Sequence, residues 1–140
     1  MKTMISTLAL AAAMTAVLAM GPAAAEMLAF KSTLNGASET PPTDSAGTGT
    51  ADVKIDTDKK EVTWTITYSG LTGDATAAHF HGPAGVGEKA GPEIDISGKI
   101  ESGSSPLTDA QLADFQAGKI YLNIHSAKFP DGEIRGQVEK

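Results

Sequence analysis

Val62-Thr63-Trp64-Thr65-Ile66-Thr67-Tyr68 is the stretch that decides the fold. Large apolar residues take every second position and threonine fills the gaps, so one face is apolar and the other wet, as in a half-buried strand. β-Branched and aromatic side chains also suit a pleated surface. The same period recurs on either side. Leu28, Phe30 and Leu34 share a face of 27–34, and Val53 and Ile55 share one of 47–55. Ile94, Ile96 and Ile100 alternate with Asp95, Ser97 and Lys99; Ile120, Leu122 and Ile124 alternate with Tyr121, Asn123 and His125; Ile134 and Val138 alternate with Glu133, Arg135 and Gln137. With 75–81 this makes about seven short strands separated by Gly, Pro, Asp and Ser. The expected fold is all-β, an antiparallel, Greek-key-type β-sandwich.

One short connecting helix is expected near 108–117. Thr108-Asp109-Ala110-Gln111 has the residues of a capping box, Leu107, Leu112 and Phe115 follow at near-helical spacing, and Gly118 offers a stop. Segments 36–47 and 82–92 are Gly/Pro-rich loops. Neither an internal repeat nor a second domain is visible.

Before 26 the chain has a different character. Met1-Lys2 precedes an apolar, Ala-rich run to Met20, and Ala23-x-Ala25 closes it, the arrangement of a cleaved secretory signal peptide over 1–25. The run falls short of the roughly 20 apolar residues a spanning helix needs, and no cysteine follows it to carry a lipid. The expected product is one secreted or periplasmic domain, 26–140, with no membrane segment left. Loss of Lys2 leaves ten basic against seventeen acidic residues, a net charge of −7. That balance argues against nucleic acid and anionic membranes as partners. The chain contains no cysteine, so a core or a bound metal, not disulfides, must hold the domain together.

The chain has three histidines, His79 and His81 in AHFHGPAG and His125 in YLNIHSAKFPDGEIRGQ. On a strand, His-x-His places both imidazoles on one side. Phe80 takes the core side there and Ile124 takes it beside His125, so all three rings are expected on the face away from the core. Arg135 is expected on that face too, opposite Ile134 and Val138. A hairpin through Pro130-Asp131-Gly132 would make Asn123, His125, Glu133 and Arg135 neighbours. Should 75–81 lie beside 119–126, the imidazoles converge and can hold a metal ion; otherwise they are solvated side chains on a wet face. Without a thiolate, a blue-copper site is excluded, and three neutral histidines suit Cu(II), or Zn(II) as the alternative. Copper is preferred, since it ranks highest in affinity and export compartments lack thiol buffers.

Other chemistry finds little footing. The glycines of 82–92 lack the Gly-Lys-Ser/Thr ending of a phosphate loop. Ser126 and His125 are strand neighbours facing opposite ways, which rules out a nucleophile–base pair there. Glu88, Glu93 and Asp95 match no EF-hand spacing.

AHFHGPAG followed by NIHSAKFPDGEIRGQV, with LNGASETPP upstream and WTITYSGLTG between, resembles the CHRD (chordin-type) domain across 28–138. The motif positions carried over are Glu39, Pro41, His79, His81, Gly82, Pro83, Asn123, His125, Glu133, Arg135 and Gly136. Departures are Phe80 in the first motif, Ser126 where threonine is common, and an insert-like turn at 128–131. The resemblance implies a β-sandwich exported from the cell and little chemistry. It leaves Glu39, Asn123, Glu133 and Arg135 with supporting or structural roles, among them a bidentate Arg135–Glu39 pair. By analogy with chordin, an extracytoplasmic protein partner is one reading. A looser resemblance, in the order His79-x-His81, His125, Arg135, runs to copper/zinc superoxide dismutases, and implies at most a copper-only redox enzyme with Arg135 guiding the anion. This chain has no bridging histidine, zinc loop or disulfide. Enzymatic turnover is therefore not expected as the primary role.

Overall fold

The computed structural model describes residues 12–13, 15–17 and 26–140. The expected cleavage site after Ala25 lies outside the described residues. Eight strands and one helix follow in the order β1 (Met27–Asn35), β2 (Thr48–Asp56), β3 (Glu61–Ser69), β4 (Ala75–His81), β5 (Pro92–Asp95), β6 (Ser102–Pro106), α1 (Asp109–Gln116), β7 (Tyr121–Ser126) and β8 (Ile134–Gln137). Every strand pairing is antiparallel. The all-β, antiparallel expectation holds, with eight strands in place of about seven.

The additional strand is β6. Its sequence, Ser-Gly-Ser-Ser-Pro, carries no apolar alternation, and it exists by pairing with β3 from Glu61↔Pro106 to Thr65↔Ser102. Conversely, the isoleucine alternation of 94–100 yields only the four-residue β5, and the chain turns at 97–100.

All eight strands form one sheet in the order β5-β4-β7-β8-β1-β2-β3-β6. Its halves meet at the thin β8–β1 junction, where Asn35 pairs with Arg135 and Lys31 bridges to Glu139. There the strands come close: a Cβ on Gly136 would collide with the Ser32 hydroxyl and the Thr33 carbonyl, so only glycine fits. The sheet folds back at this seam and packs its apolar faces together as a near-barrel. Trp64 of β3 meets Phe80 of β4 edge-on at 5.8 Å between centroids, and Phe115 of α1 touches both Phe30 and Phe80. The period-two residues named above supply this core: Leu28, Phe30, Leu34, Val53, Ile55, Val62, Trp64, Ile66, Phe80, Ile94, Ile96, Leu122, Ile124 and Ile134 are all buried.

The helix caps as its residues require. Gln111 donates its backbone N–H to the Thr108 hydroxyl at 3.1 Å, and Thr108 returns its own to the Gln111 side chain at 3.0 Å. Among the described residues, no helix is long and apolar enough to cross a membrane.

Candidate metal centre

β4 and β7 lie side by side, with Ala77 opposite His125, His79 opposite Asn123 and His81 opposite Tyr121. β8 flanks β7 on the other side and sets Arg135 opposite Asn123. Period-two geometry therefore gathers His79, His81, Tyr121, Asn123, His125 and Arg135 on the face turned from the core, as the alternation predicts.

That face is not wet. The whole of β7 is buried, and His81, Asn123, His125 and Arg135 are covered as well. The cover comes from three Gly/Pro-rich connections. Loop 82–91 brings the Ala90 carbonyl to His81 Nδ1 at 3.0 Å. The β7–β8 turn brings the Pro130 carbonyl to His125 Nδ1 at 2.8 Å. The segment after Gly36–Ser38, a single 3₁₀ turn, carries Glu39 and Thr40 over the same face. Alternation names the side a residue takes but says nothing of loops that fold onto it.

The three imidazoles converge, and one ligating nitrogen from each lies within 4.8 Å of the others. His79 Nδ1 and His125 Nε2 are 3.0 Å apart. Asn123 Oδ1 sits 2.9 Å from His81 Nε2 and 3.0 Å from His125 Nε2. On the outer side each ring meets an oxygen: Ala90 O for His81, Pro130 O for His125, and for His79 the Asp95 carboxylate at 3.6 Å from Nε2. For His81 and His125 the acceptor on the far nitrogen fixes the tautomer that leaves the near nitrogen a free lone pair, which is how metal-ligating histidines are held, and the Asp95 charge favours the same tautomer of His79.

Burial lowers the pKa of His79, and the neighbouring His125 and His81 lower it further against the pull of Asp95. Burial also lowers that of His81, outweighing its hydrogen bonds to Ala90 and Asn123. Both rings are thus held neutral at neutral pH, the form that ligates.

Tyr121 is a member of the group that motif reading missed, although it shares the parity of Asn123 and His125. Its ring stacks on His81 with centroids 4.7 Å apart and planes 1° from parallel. From the other neighbouring strand, the Arg135 guanidinium lies 3.6 Å from the Tyr121 centroid. The expected Arg135–Glu39 ion pair is not made. Arg135 donates to the Glu88 carbonyl at 2.6 Å, the Gly85 carbonyl at 3.0 Å and the Thr40 hydroxyl at 3.3 Å, so it ties down the covering loops. Glu39 is buried beside Asn123, and desolvation raises its pKa to about 7 against the field of Arg135. A cavity of about 320 Å³ opens here, lined by Glu39, Lys89, Tyr121, Asn123, His125 and Arg135 among others.

Glu133 does not join the histidines. It is fully buried on the far side of the β7–β8 turn, where its carboxylate accepts from Ser126 at 2.6 Å, Ser45 at 2.7 Å, and the Thr72 amide and hydroxyl at 2.9 and 2.5 Å. Burial pushes its pKa up, but those hydrogen bonds together hold it below the usual carboxylate range. Its task is to fasten two loops to the β7–β8 hairpin.

The order of these residues along the chain is that of a known domain: the family model of the CHRD domain matches residues 30–138. The chain belongs to the CHRD-domain family. No curated protein and no solved structure matches it. The likeness to copper/zinc superoxide dismutases thus rests on residue order alone. Within this CHRD domain the matched span covers all eight strands save the first three residues of β1, and every residue of the histidine group.

Proposed function

We propose that this CHRD domain is an exported protein that binds one transition-metal ion, copper in preference to zinc, through His79 Nδ1, His81 Nε2 and His125 Nε2. One observation carries the reading. Three imidazole nitrogens converge within 4.8 Å while the opposite nitrogens of His81 and His125 bond carbonyl oxygens and that of His79 lies 3.6 Å from the Asp95 carboxylate. Solvated histidines have no need of such an arrangement. An all-imidazole set without sulfur suits Cu(II) and Zn(II), and Cu(II) binds more tightly at a given set of nitrogen donors. Export is supported by the leader-like sequence 1–25 and by the family, whose domains are typically extracellular.

Redox turnover is not part of the proposal. Arg135, the residue that would guide an anion, is 2% exposed and spends its guanidinium on loop carbonyls. Calorimetric titration of the metal-free mature protein with Cu(II) is the test. One ion per chain is expected for the wild type, and none for the variant with His79, His81 and His125 all changed to Ala. Unchanged stoichiometry in that variant would overturn the assignment.

A further inference from the structure

We propose that Asn123 supplies a fourth ligand through Oδ1, making the centre a three-imidazole, one-oxygen site suited to a divalent ion. The inference rests on the histidine centre proposed above and adds a donor to it.

The polar atoms gathered here outnumber the protons available to them. His81 Nδ1 faces only the Ala90 carbonyl, and His125 Nδ1 only that of Pro130, so each Nδ1 carries its ring's proton. A neutral imidazole has no second proton, which leaves Nε2 of both rings as bare lone pairs. Both lone pairs point at one atom, Asn123 Oδ1, at 2.9 and 3.0 Å. An amide oxygen has no proton to offer either. With the His79 proton on the Nε2 that faces Asp95, three acceptors face one another in a buried place, where unpaired polar atoms are costly. A cation among them satisfies all three at once and His79 Nδ1 with them, since that atom lies 3.0 Å from His125 Nε2.

The spacing agrees. Donors about 2.0–2.1 Å from a tetrahedral ion lie roughly 3.3–3.4 Å apart. The contacts of 2.9, 3.0 and 3.0 Å need to open only by tenths of an ångström, and the imidazole nitrogens, within 4.8 Å of one another, need to draw in at their widest pair. The amide is also aimed. Its nitrogen lies under Gly132 on the side of Glu39, where it eases the cost of a charged carboxylate. Reversing the amide would turn Oδ1 toward Glu39, an arrangement open only while that carboxyl is protonated. An oxygen donor in place of a thioether or thiolate disfavours Cu(I), so the fourth ligand also sets the oxidation state.

The chain has two asparagines, Asn35 and Asn123, and Asn35 is occupied capping the 3₁₀ turn through its own Oδ1. Selective ¹³Cγ-asparagine labelling therefore gives a nearly exclusive probe. In the protein loaded with one Cu(II), pulsed EPR should show imidazole nitrogen couplings together with a ¹³C coupling. The ¹³C coupling should vanish in Asn123→Leu, whose Cu(II) affinity falls by about tenfold or more. Asn123→Asp keeps the oxygen, adds charge, and should bind at least as tightly as the wild type. Imidazole couplings without any ¹³C coupling in the labelled wild type would overturn the fourth ligand and leave the histidine centre standing. Absence of copper–nitrogen coupling altogether would remove the histidine centre itself.

Discussion

Gly132 shows how tightly single residues are constrained around the centre. Its φ is +126°, a conformation strained for any side chain. A Cβ there would collide with Glu39 Oε1 and come within 2.6 Å of Asn123 Nδ2. Gly132→Ala therefore loses stability twice, through backbone strain and through displacement of the amide that faces the histidines. A loss of about 2–4 kcal/mol is expected from urea unfolding of the metal-free protein. Cu(II) affinity should fall in the same variant, because the Asn123 amide must shift. Wild-type stability in Gly132→Ala would show that the turn yields without disturbing Glu39 or Asn123. Tyr121 makes the complementary point. Its ring is fixed by His81 on one side and Arg135 on the other, so it holds His81 in plane without offering a lone pair to the metal.

At the scale of elements, the β7–β8 hairpin and its turn do two separate jobs on two sides. One side carries Asn123, His125 and Arg135 to the histidine group; the other buries Glu133 among Ser45, Thr72 and Ser126. Glu133→Ala would leave the buried Ser126 hydroxyl without its acceptor and release Ser45 and Thr72 nearer the surface, with an expected loss of about 2–3 kcal/mol in chemical denaturation. Because Glu133 touches no histidine, the folded fraction of that variant should still bind one Cu(II), a separation calorimetry can read. The same hairpin marks what sequence can disclose. Alternation in 120–125 and 134–138 gave the faces of His125 and Arg135, and Pro130-Asp131-Gly132 gave the turn. Pairing of 75–81 with 119–126 had to be supposed, because period two fixes a strand's faces and not its neighbours. Burial of the outer face was invisible for a related reason: loops 36–47 and 82–92 are polar and Gly-rich, and nothing in their composition says where they fold. β6 was missed because the edge pairing with β3, not apolar residues, makes it a strand.

For the whole molecule the buried titratable groups pull stability in opposite directions with pH. His79 and His81 have folded-state pKa values below the unfolded value of about 6.5. The unfolded chain therefore takes up protons first, and stability of the metal-free protein falls as pH drops below about 6.5. Glu39 is raised from 4.5 to about 7 on folding, so between those values the folded state holds the extra proton. Its contribution is full below about 4.5 and is lost as pH rises through about 7, by an amount on the order of 2 kcal/mol after allowing for screening at the cavity mouth. Between about pH 4.5 and 6.5 the two effects oppose each other, so the metal-free protein should be most stable near pH 6–6.5, and Glu39→Gln should remove the fall from there to about pH 7 and steepen the loss on the acid side. Copper adds a further term that protons oppose, because each ligating imidazole must be neutral. At about pH 7.5, with free Cu(II) at about 100 times Kd, stabilisation near 2.7 kcal/mol is expected, a rise in Tm of roughly 10 °C for a domain of this size. That rise should shrink progressively as pH falls below about 6.5, through a range set lower than for solvated histidines by the depressed values of His79 and His81. Thermal melts with and without Cu(II) across about pH 5 to 8 decide the matter. A copper-induced shift that stays constant over that range, or one that survives the triple His→Ala change, would place the ion on carboxylates elsewhere on this acidic surface.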